Sequence, residues 1–310
     1  MKIIFLGTPK FAETVLESLI NSKHKVVAVV CQPDKPVGRK QILEMPPSKI
    51  LALKNNIPVY QFNKIRLEGV EPLKKLEADI MVTAAFGQIL SQEVLDITPF
   101  GVFNVHASVL PKYRGSSPVQ WSLINGEKTI GVTILKTLAG IDNGPVLMTK
   151  QIAIESTDTV ETLLSKLSKI GADMIVKALD IIETKKAVLV PQDESQMTYY
   201  PMLKKENAKI NFNLSATNIV NFVRGMEEWP VAYTFLQGKM LKVYKSSVVK
   251  DNFVNYLPSQ VVLASTKQGL VVKAKDFAVR LNVVQIENGK KMTDSEFLNG
   301  RKIEVKTELN

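Results

Sequence analysis

Cysteine is nearly absent: the 310-residue chain has one, Cys31. One thiol cannot build an internal disulfide framework, which suits a reducing compartment. With no histidine nearby in sequence, Cys31 reads as a small buried hydrophobe. Histidine is almost as scarce, with only His24 and His106. Two histidines and one cysteine are too few for a usual zinc site, so no metal is expected. Long apolar runs are missing too. Ile3 to Leu6 is broken at once by Gly7, Thr8 and Pro9, too short for the core of a signal peptide. No stretch approaches the roughly 20 apolar residues that span a bilayer. A cytoplasmic protein with no membrane partner is expected. Two phosphate-binding patterns are also missing. The first strand is followed by Gly7-Thr8-Pro9 rather than G-x-G-x-x-G, and nothing matches G-x-x-x-x-G-K-[ST].

What is present is ordinary in bulk: 45% hydrophobic and 23% charged residues, a globular mixture. The length is where one core usually splits into two domains. The charge is less ordinary. The net is +10; residues 1–203 carry 23 basic and 20 acidic side chains, residues 204–310 carry 17 and 10. The last third therefore holds +7 of the excess. A polyanionic partner and a merely soluble basic surface both fit this number.

The first half alternates strand and helix signals. KIIFLG is a short apolar run, as a buried parallel strand should be. Residues 9–21 place Phe11, Val15, Leu16, Leu19 and Ile20 at helical spacing. Residues 25–31 form a β-branched run, 46–56 a helix with Ser48 as its cap, and 59–60 a short strand. Residues 78–85, 101–105 and 129–137 read as further strands. This alternation predicts an α/β fold with a doubly wound, mostly parallel, Rossmann-like sheet. His24 lies between two lysines in a surface turn. From residue 158 the signal is helical, and 185–204 reads as a linker. A helix over 214–226 is capped near Ser215. Short strands follow, with turns at Gln237-Gly238 and Lys267-Gln268-Gly269, the pattern of a small β-barrel. The resulting division is a catalytic domain over 1–188, a linker over 189–205 and a smaller barrel over 206–310.

The chemistry gathers in FNVHASVLPKYRGSSP (103–118). Asn104 and His106 are two apart on a strand, so both side chains share a face. They project toward the strand's carboxyl end, where open parallel sheets place ligands. A second segment, GVTILKTLAGIDNGPVL (131–147), reads as a strand and a Gly-rich turn holding Asp142. Asn, His and Asp together suit acyl or formyl transfer to an amine. Asn can donate to an oxyanion, His can carry a proton near neutral pH, and Asp can orient His. The plainer alternative also stands: a lone strand histidine is commonly a core residue, and Asp-Asn-Gly is commonly a turn. Residues 32–49 form a Pro- and Gly-rich loop whose Arg39 and Lys40 could meet phosphates or bases.

With these residues in view, the chain resembles the methionyl-tRNA formyltransferases across nearly its whole length. The resemblance rests on FLGTPKFA (5–12), QPDKPVGR (32–39), AAFGQIL (84–90), FNVHASVLPKYRGSSPVQWSLINGE (103–127) and the 131–147 segment. KENAKINF (205–212), WPVAYTF (229–235) and LKVYKSS (241–247) extend it. The NVHASVLPKYRG stretch (104–115) is shared by 10-formyltetrahydrofolate-dependent transferases at large. The resemblance implies that Asn104, His106 and Asp142 are the catalytic trio. It implies that Ser108, Val109, Leu110 and Pro111 meet the folate, and that Phe86, Gly87, Gln88, Ile89 and Leu90 hold its pterin. Val109 stands where Leu is usual, and Ala107 where Gly is commoner, so one more methyl needs room beside the folate. Arg39 and Lys40 would sit in an insertion that enters the tRNA acceptor end. The C-terminal domain would be an OB-like barrel that holds tRNA on its basic face. The implied activity is formylation of methionyl-initiator tRNA in translation initiation, a step of protein biosynthesis, by a monomer with 10-formyltetrahydrofolate as donor and no metal.

Two other readings remain open at this point. A formyltransferase acting on a small amine, such as an amino sugar nucleotide or glycinamide ribonucleotide, would carry the same trio. It would need neither the 32–49 loop nor a basic C-terminal domain. A non-catalytic RNA-binding protein would need no intact trio. The charge distribution yields a prediction: affinity for initiator tRNA, measured by filter binding from 50 to about 200 mM salt, falls steeply as counterions are released. A flat salt response would contradict the use of the C-terminal charge.

Overall fold

A computed structural model of the chain describes residues 1–38, 41–227 and 229–310. The alternation in the first half builds one seven-stranded sheet. Its elements are β1 (Lys2–Gly7), α1 (Lys10–Ile20), β2 (Lys25–Cys31), β3 (Lys35–Val37), β4 (Ile42–Glu44), α2 (Pro47–Lys54) and β5 (Val59–Gln61). They continue through α3 (Ile65–Glu68), α4 (Val70–Lys74), β6 (Ile80–Ala84), α5 (Gln92–Leu95), β7 (Val102–His106), β8 (Arg114–Gly115) and α6 (Pro118–Ile124). Next come β9 (Thr129–Lys136), β10 (Val146–Ala153), α7 (Val160–Glu183) and β11 (Tyr199–Tyr200). The strand order is β10-β9-β7-β6-β1-β2-β5. β5, β2, β1, β6 and β7 run parallel, while β9 and β10 are antiparallel.

The sheet is thus mixed, with a parallel centre. β10 was not foreseen; its residues alternate too weakly between buried and exposed to announce a strand. β6 is buried at every residue and β1 at all but its first, which is why they read as unbroken apolar runs rather than alternating ones. Helix α1 turns Phe11, Val15, Leu16 and Leu19 inward. β1 pairs with β2 on one side and β6 on the other, so the strand order reverses there. Crevices of this kind, beyond the carboxyl ends of the strands, are where open α/β sheets bind ligands.

Several local expectations need correction. Ser48 lies inside the first turn of α2 rather than capping it; the cap position is Pro46. Its buried hydroxyl donates to the Gly7 carbonyl at 2.7 Å, tying α2 to the end of β1. His24 is buried, not in a surface turn, and its Nε2 lies 3.2 Å from Asp180 Oδ1. Burial pushes its pKa down. The 32–49 loop contains the antiparallel pair β3–β4. The base of that hairpin is pinned by Lys49, whose ammonium donates to Asp34 at 2.7 Å and to Gln61 at 2.9 Å. The hydrogen bond from Lys49 holds the Asp34 carboxyl below its usual range.

The chain divides into two compact units. The first comprises Met1–Pro118, Thr129–Ala153 and Leu163–Tyr200; the second comprises Val119–Lys128, Ile154–Thr162 and Pro201–Asn310. The second unit holds α8 (Ala216–Gly225), β12 (Ala232–Leu236), β13 (Lys239–Val249), β14 (Val261–Ser265), β15 (Gly269–Lys273), β16 (Ala278–Ile286), β17 (Met292–Thr293) and α9 (Asp294–Leu298). Ser215 caps α8 by accepting from the Asn218 amide, as the sequence suggested. The strand order is β12-β13-β16-β15-β14, with β17 on β16, and every pairing is antiparallel. Residues 306–310 touch both outer strands: Asn310 and Phe235 exchange backbone hydrogen bonds, and the Val261 amide donates to Thr307. Ile219, Val223, Leu241, Val243 and Phe297 form the core, with Trp121 and Ile124 packed on it.

No helix among the described residues is long and apolar enough to cross a membrane. Cys31 is fully buried at the end of β2, and burial pushes its thiol up to about 11. Since the thiolate is the reactive form, iodoacetamide at pH 8 is expected to label the folded protein slowly and the denatured protein fast. Equal rates would contradict this burial.

Candidate active site

β7 delivers Asn104 and His106 to one face, and β6 places Thr83 directly opposite Asn104. The Thr83 hydroxyl donates to Asn104 Oδ1 at 2.9 Å. That leaves the Asn104 nitrogen to point at Asp142, donating to its Oδ1 at 3.3 Å. The amide orientation is chemically forced, because an ionised carboxylate accepts and cannot donate.

His106 is buried, with Nε2 3.0 Å from the Tyr113 carbonyl. A carbonyl can only accept, so Nε2 carries the hydrogen in this bond. Nδ1 is then the atom free to gain and lose a proton. It lies 3.6 Å from the same Asp142 Oδ1 that Asn104 contacts. The other carboxylate oxygen accepts from the Gly115 amide at 3.0 Å. The three side chains predicted from sequence therefore meet, with the carboxylate between an amide and an imidazole.

Asp142 reaches this position through a tight loop between β9 and β10. Its φ is +49°, a left-handed conformation that Asp tolerates better than most residues. Gly144 allows the loop to close: a β-carbon there would stand 1.7 Å from the Lys136 carbonyl oxygen. Gly115, at φ +112°, is equally constrained, since a β-carbon would meet the Tyr200 carbonyl oxygen at 2.1 Å.

Two loops flank the trio, each following a parallel strand. After β7, Ser108 is buried and its hydroxyl donates to the Lys112 carbonyl at 2.8 Å. Thr133 braces this turn, donating to the Ser108 carbonyl and accepting from the Leu110 amide. Ser108 therefore shapes the turn, while Val109 and Pro111 are half-buried and present its surface. After β6, Ala85 and Gly87 adopt positive φ. The Phe86 carbonyl accepts from Gln32 at 3.0 Å and Thr8 at 3.3 Å. Gln88 is anchored through both ends of its amide, to the Ile65 amide and the Phe62 carbonyl. Phe86 is buried, Leu90 half-buried and Ile89 72% exposed, so Ile89 is the outward group of this strip. Arg39 and Lys40 lie outside the described residues.

Sequence reasoning missed Thr83, Thr133, Arg114 and Gln192. Arg114 is buried and donates from both guanidinium ends to Glu194 and Gln192. Gln192 in turn donates to the carbonyls of Asp142 and Gly144, each at 2.7 Å. With Lys112 two residues before it and Gly115, Ser116 and Ser117 after it, Arg114 carried no signal of burial. Nothing in the sequence paired it with residues some 80 positions later.

The chain is similar to known proteins along nearly all of its length. The formyl transferase family matches residues 1–179, and the formyl transferase C-terminal domain matches residues 202–302. A methionyl-tRNA formyltransferase from Acetivibrio thermocellus is 43% identical over 98% of this chain and 97% of its own length. One from Staphylococcus aureus is 40% identical over 96% of each. Among solved structures, the sugar 3N-formyl transferase WlaRD shares the fold with a TM-score of 0.69 at 21% identity, covering 94% of this chain and 99% of that one. An N-formyltransferase from Helicobacter canadensis, solved with folinic acid and dTDP-3-aminofucose, gives 0.69 at 22% identity, covering 94% and 100%. Matched in both of its parts, and at 40% identity or more along nearly all of its length, the chain belongs to the formyl transferase family.

Proposed function

We propose that this chain transfers the formyl group of 10-formyltetrahydrofolate to the amino group of methionyl-initiator tRNA. The observation that carries the reading is the single carboxylate oxygen of Asp142 facing both Asn104 Nδ2 and His106 Nδ1. Relatives at 40–43% identity carry the name methionyl-tRNA formyltransferase, which supports this substrate over a small amine.

The residues divide the work by atom. An ammonium is no nucleophile, so the methionyl amine must lose a proton. His106 Nδ1 takes it, directly or through a water, because Nε2 is committed to Tyr113. Asp142 stabilises the imidazolium that results. As the amine adds to the formyl carbon, negative charge grows on the formyl oxygen. Asn104 has a second amide hydrogen for that oxygen, the first being held by Asp142. Departure of the folate nitrogen requires a proton, which the imidazolium returns, and the second proton that the attacking nitrogen must shed leaves to solvent. No resident metal enters this scheme.

The strip over 86–90 suits a pterin. It is anchored from behind by Gln32 and the Gln88 side chain, and Ile89 stands outward beside Gly87. Val109, Leu110 and Pro111 form the facing turn, with Ser108 bracing it. In this reading residues 1–188 carry catalysis, 189–205 connect while their residues up to Tyr200 pack with the first unit, and 206–310 hold tRNA on a basic surface. Arg39 and Lys40 take the acceptor end, and the enzyme is a cytoplasmic monomer. The six-stranded sheet of the second unit closes into an OB-like barrel; backbone bonds from residues 306–310 to both outer strands support this closure.

The test is transfer of labelled formyl from 10-formyltetrahydrofolate to methionyl-initiator tRNA, with Asn104→Ala and His106→Ala beside the wild type. Loss of an oxyanion donor predicts a drop of about 10²–10³ in turnover for Asn104→Ala. His106→Ala is expected to lose transfer while still binding tRNA. Full activity in His106→Ala would mean another group carries the proton, and a folded wild type that formylates only a small amine would overturn the tRNA assignment.

A further inference from the structure

The residues between Val190 and Tyr200 form a strap across both loops that build the site. Val190 exchanges backbone hydrogen bonds with Val146, just after the Asp142 loop. The strap then reaches the other loop. The Tyr113 amide donates to the Thr198 hydroxyl and the Arg114 amide to the Thr198 carbonyl, both at 2.9 Å. β11 pairs with β8, setting Tyr200 beside Gly115. The Tyr113 and Tyr200 rings stack 4.9 Å apart. Asp142 is consequently held from two directions by one segment. Its carboxylate rests on the Gly115 amide, which β11 fixes, and its main chain hangs from Gln192.

We infer that Gln192 is a positioning residue for the reaction, acting through Asp142; the inference rests on the catalytic role proposed above for that carboxylate. The geometry is directional. The Gln192 nitrogen has two hydrogens, and they go to the carbonyls of Asp142 and Gly144. Its oxygen accepts two hydrogen bonds from Arg114, at 3.1 and 2.8 Å. Arg114 is itself locked by Glu194, with contacts of 3.0 and 2.6 Å. The amide is therefore prevented from flipping, because a flipped oxygen would face two carbonyls and a flipped nitrogen would face a guanidinium. Asp142 sits at positive φ in a loop whose residues 138–141 are exposed. A donor bridging the carbonyls on either side of Asn143 keeps that conformation, and with it the line from Asp142 Oδ1 to His106 Nδ1.

Two variants separate this role from general scaffolding. Gln192→Glu keeps an oxygen for Arg114 and removes the donors to the loop. Gln192→Met removes both without adding charge. Displacing a catalytic group by about 1 Å can cost 10²-fold, so each variant is expected to lower kcat for formyl transfer by about 10- to 100-fold, with KM for both substrates within about twofold. The decisive comparison is a double-mutant cycle with Asp142→Asn. If Gln192 works through Asp142, adding Gln192→Glu to Asp142→Asn costs less than about twofold more, because the interaction is already lost. A full, additive loss in that background overturns the inference, as does a kcat within about threefold of wild type for both single variants. Either result would leave the proposed activity standing on the wild-type rate, whereas a wild type without transfer would remove that activity and this inference together.

Discussion

A carboxylate that must be shared is the constraint on which this molecule turns. Asp142 offers only acceptors, and its two oxygens are divided among an amide side chain, an imidazole and a main-chain N–H. With the side chain only 16% exposed, these contacts act where water screens them weakly. A charge in such a place is stable only while each partner stays in register. Much of the surrounding architecture meets that need. Parallel pairing of β6 with β7 sets Thr83 against Asn104, a glycine admits the loop beside Lys136, and a second glycine lets the main chain approach Tyr200.

Much of this was legible in the sequence, for reasons that can be stated residue by residue. Buried parallel strands appear as apolar runs, so β1, β2, β6 and β7 could be found by eye. The two-residue spacing of Asn104 and His106 fixed their common face without any knowledge of the fold. Asp142 stood out because it lay between glycines beyond a strand. What could not be read were partners set by tertiary register. Ser48 looked like a cap because serine commonly is one, yet tertiary packing turned its hydroxyl to Gly7. His24, flanked by lysines, suggested a surface, but alternation along the chain placed those neighbours outward and the imidazole inward. β10 escaped notice because none of its residues is buried, so neither face imposed an apolar alternation on the sequence. Gln192 fell in a stretch without periodicity, where local pattern carries no information about distant contacts.

The likeness to sugar formyltransferases at 21–22% identity shows how little of the sequence the fold itself demands. Scaffolds of this kind host different acceptors, so the shared fold does not name the acceptor. In the function proposed above, the surfaces that select it are the hairpin of β3 and β4, where Ile42 and Leu43 are exposed, and the basic last third. On that proposal the Asn104–His106–Asp142 cluster and the acceptor-selecting parts lie in separate stretches of sequence, which lets one vary while the other is kept.

The strap has a consequence for how the protein comes into being. Synthesis delivers a chain from its amino end, and domains fold as they emerge. The strands bearing Thr83, Asn104 and His106 leave the ribosome first, and the Asp142 loop follows. Gln192 and Tyr200 arrive only when 200 of the 310 residues have been made. Until then the nascent chain holds every polar side chain of the trio but not the segment that clasps both loops. The clasp is therefore a late arrival in biosynthesis: it closes on loops made 50 and 85 residues before it.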